Sequence, residues 1–277
     1  MDTLPPMTLG TLLDGRVRYR QFCDGYRTGL EPVLMAACVP ARAGQYVLEG
    51  GCGAGAGLLC LAARVPGVRG IGLECDSHTV ALGQVNVGDN GFDTIRILQA
   101  TLPAMPDDPY LSGPGVRRID HAFANPPWHD HASTPSPLSR RDRARRLPRA
   151  GLAHWVGSLS AQLRHHGTLT LAVPATLLDH AISSMGDSHL GDITVFPCWP
   201  RQGVAAKIVL IRGRMGSRTP ARLLPGIVLH HADGTFTQAA HAVLRGGRAR
   251  RGEPKPHPHI KILLTPASPA PRGRVLL

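Results

Sequence analysis

The chain has 277 residues, of which 43% are hydrophobic, so it is long enough to bury one large core or one core with additions. No stretch approaches the roughly 18 consecutive apolar residues that cross a membrane, and the first residues lack a secretory-signal pattern. The six cysteines are scattered singly and the histidines lack zinc-type spacing. These features predict reduced thiols in a cytoplasmic protein that has neither a membrane span nor a metal centre.

The formal net charge of +12 is concentrated at one end of the chain. Residues 201–277 contain 14 Lys and Arg residues but only two acidic residues, Asp233 and Glu253, whereas residues 1–200 are balanced. A local basic surplus is what a polyanion-binding surface requires, because each neutralised phosphate releases a counterion. The charge distribution therefore favours a nucleic acid as partner.

Short β-rich runs alternate with helix-compatible stretches along most of the chain. Strands are expected at 45–51, 69–74, 95–100, 119–125, 167–173, 193–196 and 205–212, and helices at 32–39, 54–65, 76–89 and 151–165. Alternation of this kind is typical of a mostly parallel sheet with both faces covered by helices. The sequence therefore predicts a doubly wound α/β fold of the Rossmann-like type around a seven-stranded sheet.

The chain divides into four segments by composition. Residues 40–246 are expected to form the α/β domain, and residues 1–39 precede it. Within the domain, residues 129–150 form an insertion with six arginines and two aspartates, and long irregular loops of this kind are usually functional or disordered. Residues 247–277 are rich in Arg, Pro and Gly and are expected to be a disordered basic tail.

A glycine loop follows the first predicted strand. It carries the pattern (D/E)xGxGxG, formed by Glu49, Gly51, Gly53 and Gly55. Glycines allow a ligand to lie against bare backbone, and Glu74 ends the next strand where it can bond two ribose hydroxyls. The pair predicts a nucleoside-containing cofactor. It leaves the choice of cofactor open, because a dinucleotide of an oxidoreductase fits the same loop.

A second motif, Asn125-Pro126-Pro127-Trp128, follows the fourth predicted strand at its carboxyl end, where α/β sheets bind ligands. The Asn125 side-chain oxygen and the Pro126 carbonyl can each accept one N–H of a conjugated amino group. These bonds favour the pyramidal, nucleophilic form of the nitrogen, and the two prolines stiffen the loop. Trp128 offers a face on which a base can stack. The motif predicts methyl transfer from a sulfonium to an amino nitrogen.

With both motifs in place, residues 10–247 resemble the bacterial tRNA(Val) adenine-N6-methyltransferase family. The resemblance also includes Gln21 with Gly25-Tyr26-Arg27, the run Leu34–Ala37, and the segments 199–218 and 228–237. It implies a class I methyltransferase that binds S-adenosylmethionine and methylates adenosine in tRNA. It further implies that residues 1–39 cover the cofactor and that Arg27 meets its carboxylate.

For an RNA substrate, Asn125 and Trp128 are expected to hold the flipped base. Arginines in the insertion and in the basic stretch 201–251 are expected to contact phosphates. The substrate-binding arginines predicted in the insertion are Arg140, Arg141, Arg143 and Arg145.

The chain departs from the family pattern at three places. Glu49 stands where Asp is usual, a change expected to keep the charge, and Glu31-Pro32 replaces an Asp-Ala pair. The acidic residue expected to bond the adenine of the cofactor is replaced in Gln99-Ala100-Thr101, where Thr101 can still accept a hydrogen bond. We expect cofactor binding weaker by about 1 kcal/mol but no loss of activity.

Three other functions remain open on the sequence. A protein-glutamine N5-methyltransferase uses the same kind of motif on an amide, although the basic end argues against it. A catalytically weak RNA-binding protein of the same fold would explain Thr101. An NAD-linked oxidoreductase would leave the Asn125–Trp128 motif without a role.

Overall fold

The computed structural model of the chain describes residues 5–24, 27–112, 119–127 and 149–245. The strands in these ranges are β1 Met7–Leu12, β2 Val17–Phe22, β3 Tyr46–Gly50, β4 Arg69–Glu74, β5 Ile95–Gln99, β6 Ile119–Ala124, β7 Leu163–Pro174, β8 Leu190–Trp199, β9 Ile208–Met215, β10 Arg222–Leu223 and β11 Ile227–Val228. The helices are α1 Glu31–Cys38, α2 Ala56–Arg64, α3 Ser77–Asp89, α4 Arg149–Ala161, α5 Leu178–Asp187 and α6 Gln238–Leu244. None of these helices is both long and apolar enough to span a bilayer.

Nine of the strands form one mixed sheet in the order β10-β8-β9-β7-β6-β3-β4-β5, with β11 also paired to β8. All pairs are parallel except those that β9 makes with β7 and β8. The expected doubly wound, mostly parallel α/β fold is confirmed, and the seven expected strands are its long members. The sheet also contains β10 and β11, which have two residues each. Strands of this length are too short to show an alternation of apolar and polar residues in the sequence.

Several boundaries differ from the expectation. The strand β8 covers Leu190–Trp199 rather than 193–196, and β9 covers Ile208–Met215 rather than 205–212. The strand β7 begins at Leu163 rather than at residue 167, because the fully buried Leu163 already pairs with Ile119. The preceding helix α4 therefore ends at Ala161 rather than at residue 165. It begins at Arg149, inside the expected insertion 129–150. Residues 128–148 and the expected tail, residues 247–277, lie outside the described ranges, and the division into segments stays a prediction.

The sheet has an apolar core on each face. The helices α1, α2 and α3 contribute to the core on one face, where Leu58, Leu59 and Phe123 are fully buried. The helices α4 and α5 contribute to the other core, around Leu48 and Val156. A parallel sheet covered on both sides leaves its strand ends as the place where a ligand can approach.

An antiparallel hairpin of β1 and β2 precedes the sheet, with Met7 opposite Phe22 and Leu12 opposite Val17. The sequence pattern had indicated only the helix that follows it. The buried Asn86 of α3 fixes this hairpin: its Oδ1 accepts from the Arg20 amide at 2.8 Å, and its Nδ2 donates to the Arg20 carbonyl at 3.0 Å. The same Nδ2 donates to the Ala54 carbonyl of the glycine loop at 3.0 Å. One amide thus joins the hairpin to the loop.

The imidazole of His121 on β6 is buried between two polar partners. Its Nδ1 lies 2.8 Å from the Thr168 hydroxyl, and its Nε2 lies 3.2 Å from the side-chain oxygen of Gln45. A neutral ring satisfies both, with Thr168 donating to Nδ1 and Nε2–H donating to Gln45. Desolvation by burial is the main reason that the pKa of His121 falls from 6.5 to about 4.

Stability is expected to fall as the pH drops from about 6.5 to about 4, the window set by the depressed pKa of His121. In that window His121 binds a proton in the unfolded chain but not in the folded chain, so protonation favours unfolding. The full loss is about 3 kcal/mol, and it is complete below pH 4. Urea denaturation of the wild type and of His121→Gln across this window checks it. The difference between the two free energies of unfolding should change with pH, and a constant difference would contradict the assignment.

Candidate active site at the carboxyl ends of the strands

Three neighbouring parallel strands end at one edge of the sheet. Gly50 of β3 pairs with Leu73 of β4 on one side and with Ala124 of β6 on the other. The residues that follow these strands therefore meet at this edge: the glycine loop after β3, Glu74 at the end of β4, and Asn125 after β6. The structure thus brings together the two motifs that lie about 70 residues apart in the sequence.

The glycine loop needs left-handed backbone at three positions, with φ of +61° at Gly51, +55° at Gly53 and +91° at Gly55. Only Gly53 faces open space, because a Cβ built there meets nothing within 4 Å. A Cβ on Gly51 would lie 2.6 Å from the indole ring of Trp155 on α4. Gly53 therefore fits a close ligand approach, whereas Gly51 accommodates protein packing, a role that the motif did not indicate.

Gly51→Ala is expected to lower the free energy of unfolding by about 2 kcal/mol or more, because φ is positive and the indole of Trp155 must move. Gly44→Ala is a matched control, since Gly44 also has positive φ but no neighbour within 4 Å. Thermal and urea unfolding of the two variants separate backbone strain from the ring contact. Equal losses in both would contradict the proposed contact with Trp155.

The first acidic residue of the loop motif, Glu49, is buried with only 3% of its surface exposed. Its Oε2 accepts from the Leu58 amide in the first turn of α2 at 2.9 Å, and a Cβ on Gly57 would lie 2.3 Å from Oε1. Burial raises its pKa well above the usual range, opposed by the Leu58 hydrogen bond and reinforced by Glu74. Desolvation favours the neutral acid, and the expectation that Glu49 keeps the charge of the usual Asp stays a prediction. Glu49 holds the loop against α2, and a direct contact with a cofactor stays a prediction.

The carboxylate of Glu74 organises the loop from the neighbouring strand. Its Oε2 accepts from the Gly53 amide at 3.1 Å, and its Oε1 accepts from the amides of Cys75 at 2.8 Å and Asp76 at 3.0 Å. The Cys75 thiol adds a longer bond to Oε1 at 3.3 Å. An ionised carboxylate has about four acceptor sites, two on each oxygen, so these bonds orient Glu74 and leave capacity on Oε2 for a ligand hydroxyl. The side chain is half-buried, which agrees with a position beside a ligand.

The side-chain oxygen of Asn125 is buried and has no hydrogen-bond partner among the described residues. Pro126, which follows it, is buried and Pro127 is half-buried, so the segment is held against the protein. An orphaned buried acceptor costs about 1–3 kcal/mol, which a ligand N–H at this position would recover. The Asn125 oxygen is thus poised to receive the donor that the sequence motif predicts.

The remaining predicted site residues are placed as follows. Thr101 lies exposed just after β5, and Gln99 donates from its amide to the Cys75 carbonyl at 3.3 Å, next to Glu74. Arg27 is exposed between β2 and α1, and no described contact joins it to the loop. Trp128, Arg140, Arg141, Arg143 and Arg145 lie outside the described residues. Among the described residues, no three His, Cys, Asp or Glu side chains are grouped so that they could hold a metal ion.

Two residues near the site were missed by the sequence reasoning. Tyr19 on β2 is buried, and its hydroxyl lies 2.9 Å from the Thr28 hydroxyl; the Thr28 amide donates to the side-chain oxygen of Gln21 at 3.2 Å. These bonds tie the segment before α1 to the hairpin. Asn86 joins the hairpin to the glycine loop. Neither residue belongs to a sequence motif. The partners of Asn86 are distant in the sequence, and Tyr19 lies in a hairpin that the sequence pattern did not indicate.

No protein-family model and no curated protein matches the chain. Solved structures do match its fold. A predicted O-methyltransferase from Agrobacterium tumefaciens superposes with a TM-score of 0.63 at 19% identity, over 79% of this chain and 97% of that one. A methyltransferase from Pyrococcus furiosus superposes with a TM-score of 0.52 at 14% identity, over 73% of this chain and 90% of that one. The chain therefore has the class I methyltransferase fold.

Proposed function

We propose that this chain is an S-adenosylmethionine-dependent methyltransferase that methylates the N6 amino group of adenine in tRNA. The single observation that carries the proposal is the buried Oδ1 of Asn125 at the carboxyl edge of the sheet, which has no hydrogen-bond partner in the part of the chain that the structure describes. The shared fold supports methyl transfer, and the position of Asn125 beside the glycine loop supports an amino nitrogen as acceptor. The alternative function, an NAD-linked oxidoreductase, would leave this oxygen without a role.

The loop residues fit S-adenosylmethionine. Gly53 offers bare backbone that faces open space, and Glu74 is fixed by three amides with acceptor capacity left for the ribose. Thr101 follows β5, where the adenine of the cofactor is expected to receive a hydrogen bond. When bound, this cofactor supplies an activated methyl group on a sulfonium. Because the methyl group is already activated, positioning can provide most of the rate.

The chain's own contribution is to hold the acceptor nitrogen. Asn125 Oδ1 accepts one N–H of the amino group, and the Pro126 carbonyl accepts the other. Both bonds draw the nitrogen out of conjugation with the ring, so that its lone pair becomes available for attack. The nitrogen would form the new bond to the methyl carbon while the bond from that carbon to the sulfonium sulfur breaks, and the electron pair of the broken bond would leave the sulfur as a neutral thioether. Water would take up the proton that the methylated nitrogen releases. Trp128 stacks on the base in this proposal.

The basic surplus of residues 201–277 favours RNA over a protein substrate. The four insertion arginines and this basic stretch serve as phosphate contacts in the proposal. The amide of a protein glutamine would satisfy Asn125 in the same way, so it is the second candidate acceptor. All six cysteines are free thiols, which supports a reducing compartment such as the cytoplasm.

The test is transfer of labelled methyl groups from S-adenosylmethionine into bulk unmodified tRNA, with nucleoside analysis by mass spectrometry. N6-methyladenosine that appears with the wild type and not with Asn125→Ala establishes donor, atom and substrate class together. Transfer into glutamine-containing protein but not into tRNA would shift the assignment to the second candidate. Cofactor binding without transfer to either would identify a catalytically weak RNA-binding protein.

A further inference from the structure

The helix α4 carries one aromatic side chain that packing against the sheet does not fully bury. Leu152, Val156 and Leu159 of this helix are almost completely buried and belong to the core beneath it. Trp155 lies on the same helical face, three residues after Leu152 and four before Leu159, yet it is only half-buried. The largest side chain of this face therefore keeps part of its surface accessible.

The indole of Trp155 lies at the carboxyl edge of the sheet, where it meets the glycine loop. A Cβ built on Gly51 would lie 2.6 Å from Cη2 of the ring, 3.1 Å from Cζ3 and 3.8 Å from Cζ2. Cη2 is bonded to both of the other two carbons, and a position over the ring face would hold all three at similar distances. The glycine loop thus touches the edge of the indole, and both faces of the ring are free of the loop.

The ring belongs to an apolar group around the end of β3. A Cβ on Gly50 would lie 3.2 Å from Cδ1 of Leu102 and 3.2 Å from each methyl carbon of Leu159, so these two leucines meet beside Gly50. Leu102 follows β5 and is half-buried, like Trp155. Gly50 is paired with the last residue of β6, and Asn125 is the next residue of the chain. The apolar group therefore lies beside the segment that carries the Asn125 oxygen.

This edge combines one polar acceptor with a mainly apolar, partly aromatic surface. In the proposed function, Asn125 Oδ1 accepts one N–H of an amino group. A planar heterocycle with an amino substituent has the N–H on its edge, and its face can stack on an indole. The side-chain amide of glutamine has the N–H but no ring, so it would leave the accessible surface of Trp155 uncovered. The surroundings of Asn125 thus suit an aromatic amine.

We propose that Trp155 is a substrate-binding residue that stacks on the ring of the acceptor base and thereby selects a nucleobase amine over a protein amide. The inference rests on the proposed methyl transfer, because Asn125 locates the acceptor nitrogen. The contact with Gly51 holds the indole by its edge, which leaves a face for the base. Trp155 acts in addition to Trp128, the aromatic residue of the second motif.

The first experiment compares the binding of two RNA oligomers to the full chain in the presence of S-adenosylhomocysteine. One oligomer carries a single adenine among abasic ribose units and the other is entirely abasic, so the two differ in the base but not in their phosphates. The wild type is expected to prefer the adenine oligomer. Trp155→Leu is expected to lower this preference by about tenfold, whereas Trp155→Phe keeps a ring and should retain most of it.

Trp199→Leu is the matched control. Trp199 is a half-buried tryptophan at the end of β8, which β9 and β7 separate from β6, and its Nε1 donates to the Pro225 carbonyl at 3.0 Å. The preference of this variant for the adenine oligomer should equal that of the wild type. An unchanged preference in Trp155→Leu, or no preference in the wild type, overturns the proposal.

Tryptophan fluorescence keeps the test valid if Trp155→Leu does not fold. The adenine oligomer is expected to quench the emission of the wild type more strongly than that of Trp155→Phe, and the abasic oligomer should affect both equally. Equal quenching of the two proteins by the adenine oligomer contradicts the stacking contact.

The two proposals fail in different ways. Methyl transfer to adenine with an unchanged adenine preference in Trp155→Leu would keep the proposed function and reject the role of Trp155. A preference that Trp155→Leu loses, without methyl transfer to RNA, would keep the stacking contact and reject the proposed function.

Discussion

Replacing Asn125 by alanine is expected to lower kcat/KM for methyl transfer by roughly a hundredfold or more. The affinity for S-adenosylmethionine is expected to change by no more than a few-fold, because the proposed cofactor contacts lie mainly on the glycine loop and on Glu74. The physical reason is that Oδ1 of Asn125 is buried and has no hydrogen-bond partner among the described residues, so its removal takes away the acceptor for one N–H of the proposed substrate. Steady-state methyl transfer and cofactor titration on the same preparations measure both quantities.

Asn125→Asp is the matched variant for this experiment. A carboxylate keeps an acceptor oxygen in the same place, although burial beside Pro126 penalises its charge. Its activity should therefore lie between those of the wild type and Asn125→Ala, and should rise with pH as the carboxyl group ionises. Full activity in Asn125→Ala would refute the role of the side-chain oxygen. Equal loss of cofactor affinity and activity would mean that Asn125 serves only to shape the loop.

Asn86→Ala is expected to lower the free energy of unfolding by about 3 kcal/mol, which corresponds to three hydrogen bonds with buried backbone groups. The loss leaves the Arg20 amide, the Arg20 carbonyl and the Ala54 carbonyl without this partner. Because Asn86 joins the hairpin to the glycine loop, cofactor affinity should fall together with stability. Urea denaturation and cofactor titration measure the two effects.

Asn90→Ala provides the control for the hairpin. Asn90 lies one turn further along the chain and makes the equivalent pair of bonds to the Arg18 amide and carbonyl, both at 2.8 Å. Its Nδ2 also donates to the Asn86 carbonyl at 2.7 Å. The two bonds to Arg18 are exposed, so water can replace the side chain there, and a smaller loss of about 1 kcal/mol is expected. Equal, small losses of unfolding free energy in Asn86→Ala and Asn90→Ala would show that the link from the hairpin to the glycine loop adds no stability of its own.

The α/β architecture follows from the sequence because its strands are short, apolar and separated by helix-compatible stretches. The run 69–74 is a strand with the predicted bounds, and the predicted helix at 76–89 is α3 with Asp76 as its cap, accepting from the Thr79 amide at 2.9 Å. The hairpin β1–β2 was missed because its strands are polar on one side and are stabilised by α3, some 66 residues further along the chain. Local pattern cannot show such a partner.

The candidate site was likewise predicted only in part. The sequence indicated which residues meet, since Gly53, Glu74 and Asn125 each lie at or just after the end of a parallel strand, and such strand ends share one edge of the sheet. The structural role of each residue at this edge could not be predicted from its residue type. Gly51 leaves room for the indole ring of Trp155, and Glu49 is buried with its Oε2 bonded to the Leu58 amide of α2.

The fold class and the two motifs of the proposed active site can be recognised in the amino-acid sequence, because hydrophobic period and strand-end position are local properties of a chain. Which of those residues bond to the protein, and which remain available to a ligand, follows from the three-dimensional packing. The tertiary structure also revealed the hairpin of β1 and β2 and its link through Asn86 to the glycine loop. Burial and hydrogen-bond partners arise only when elements that are distant in the sequence pack together, so no local pattern can encode them.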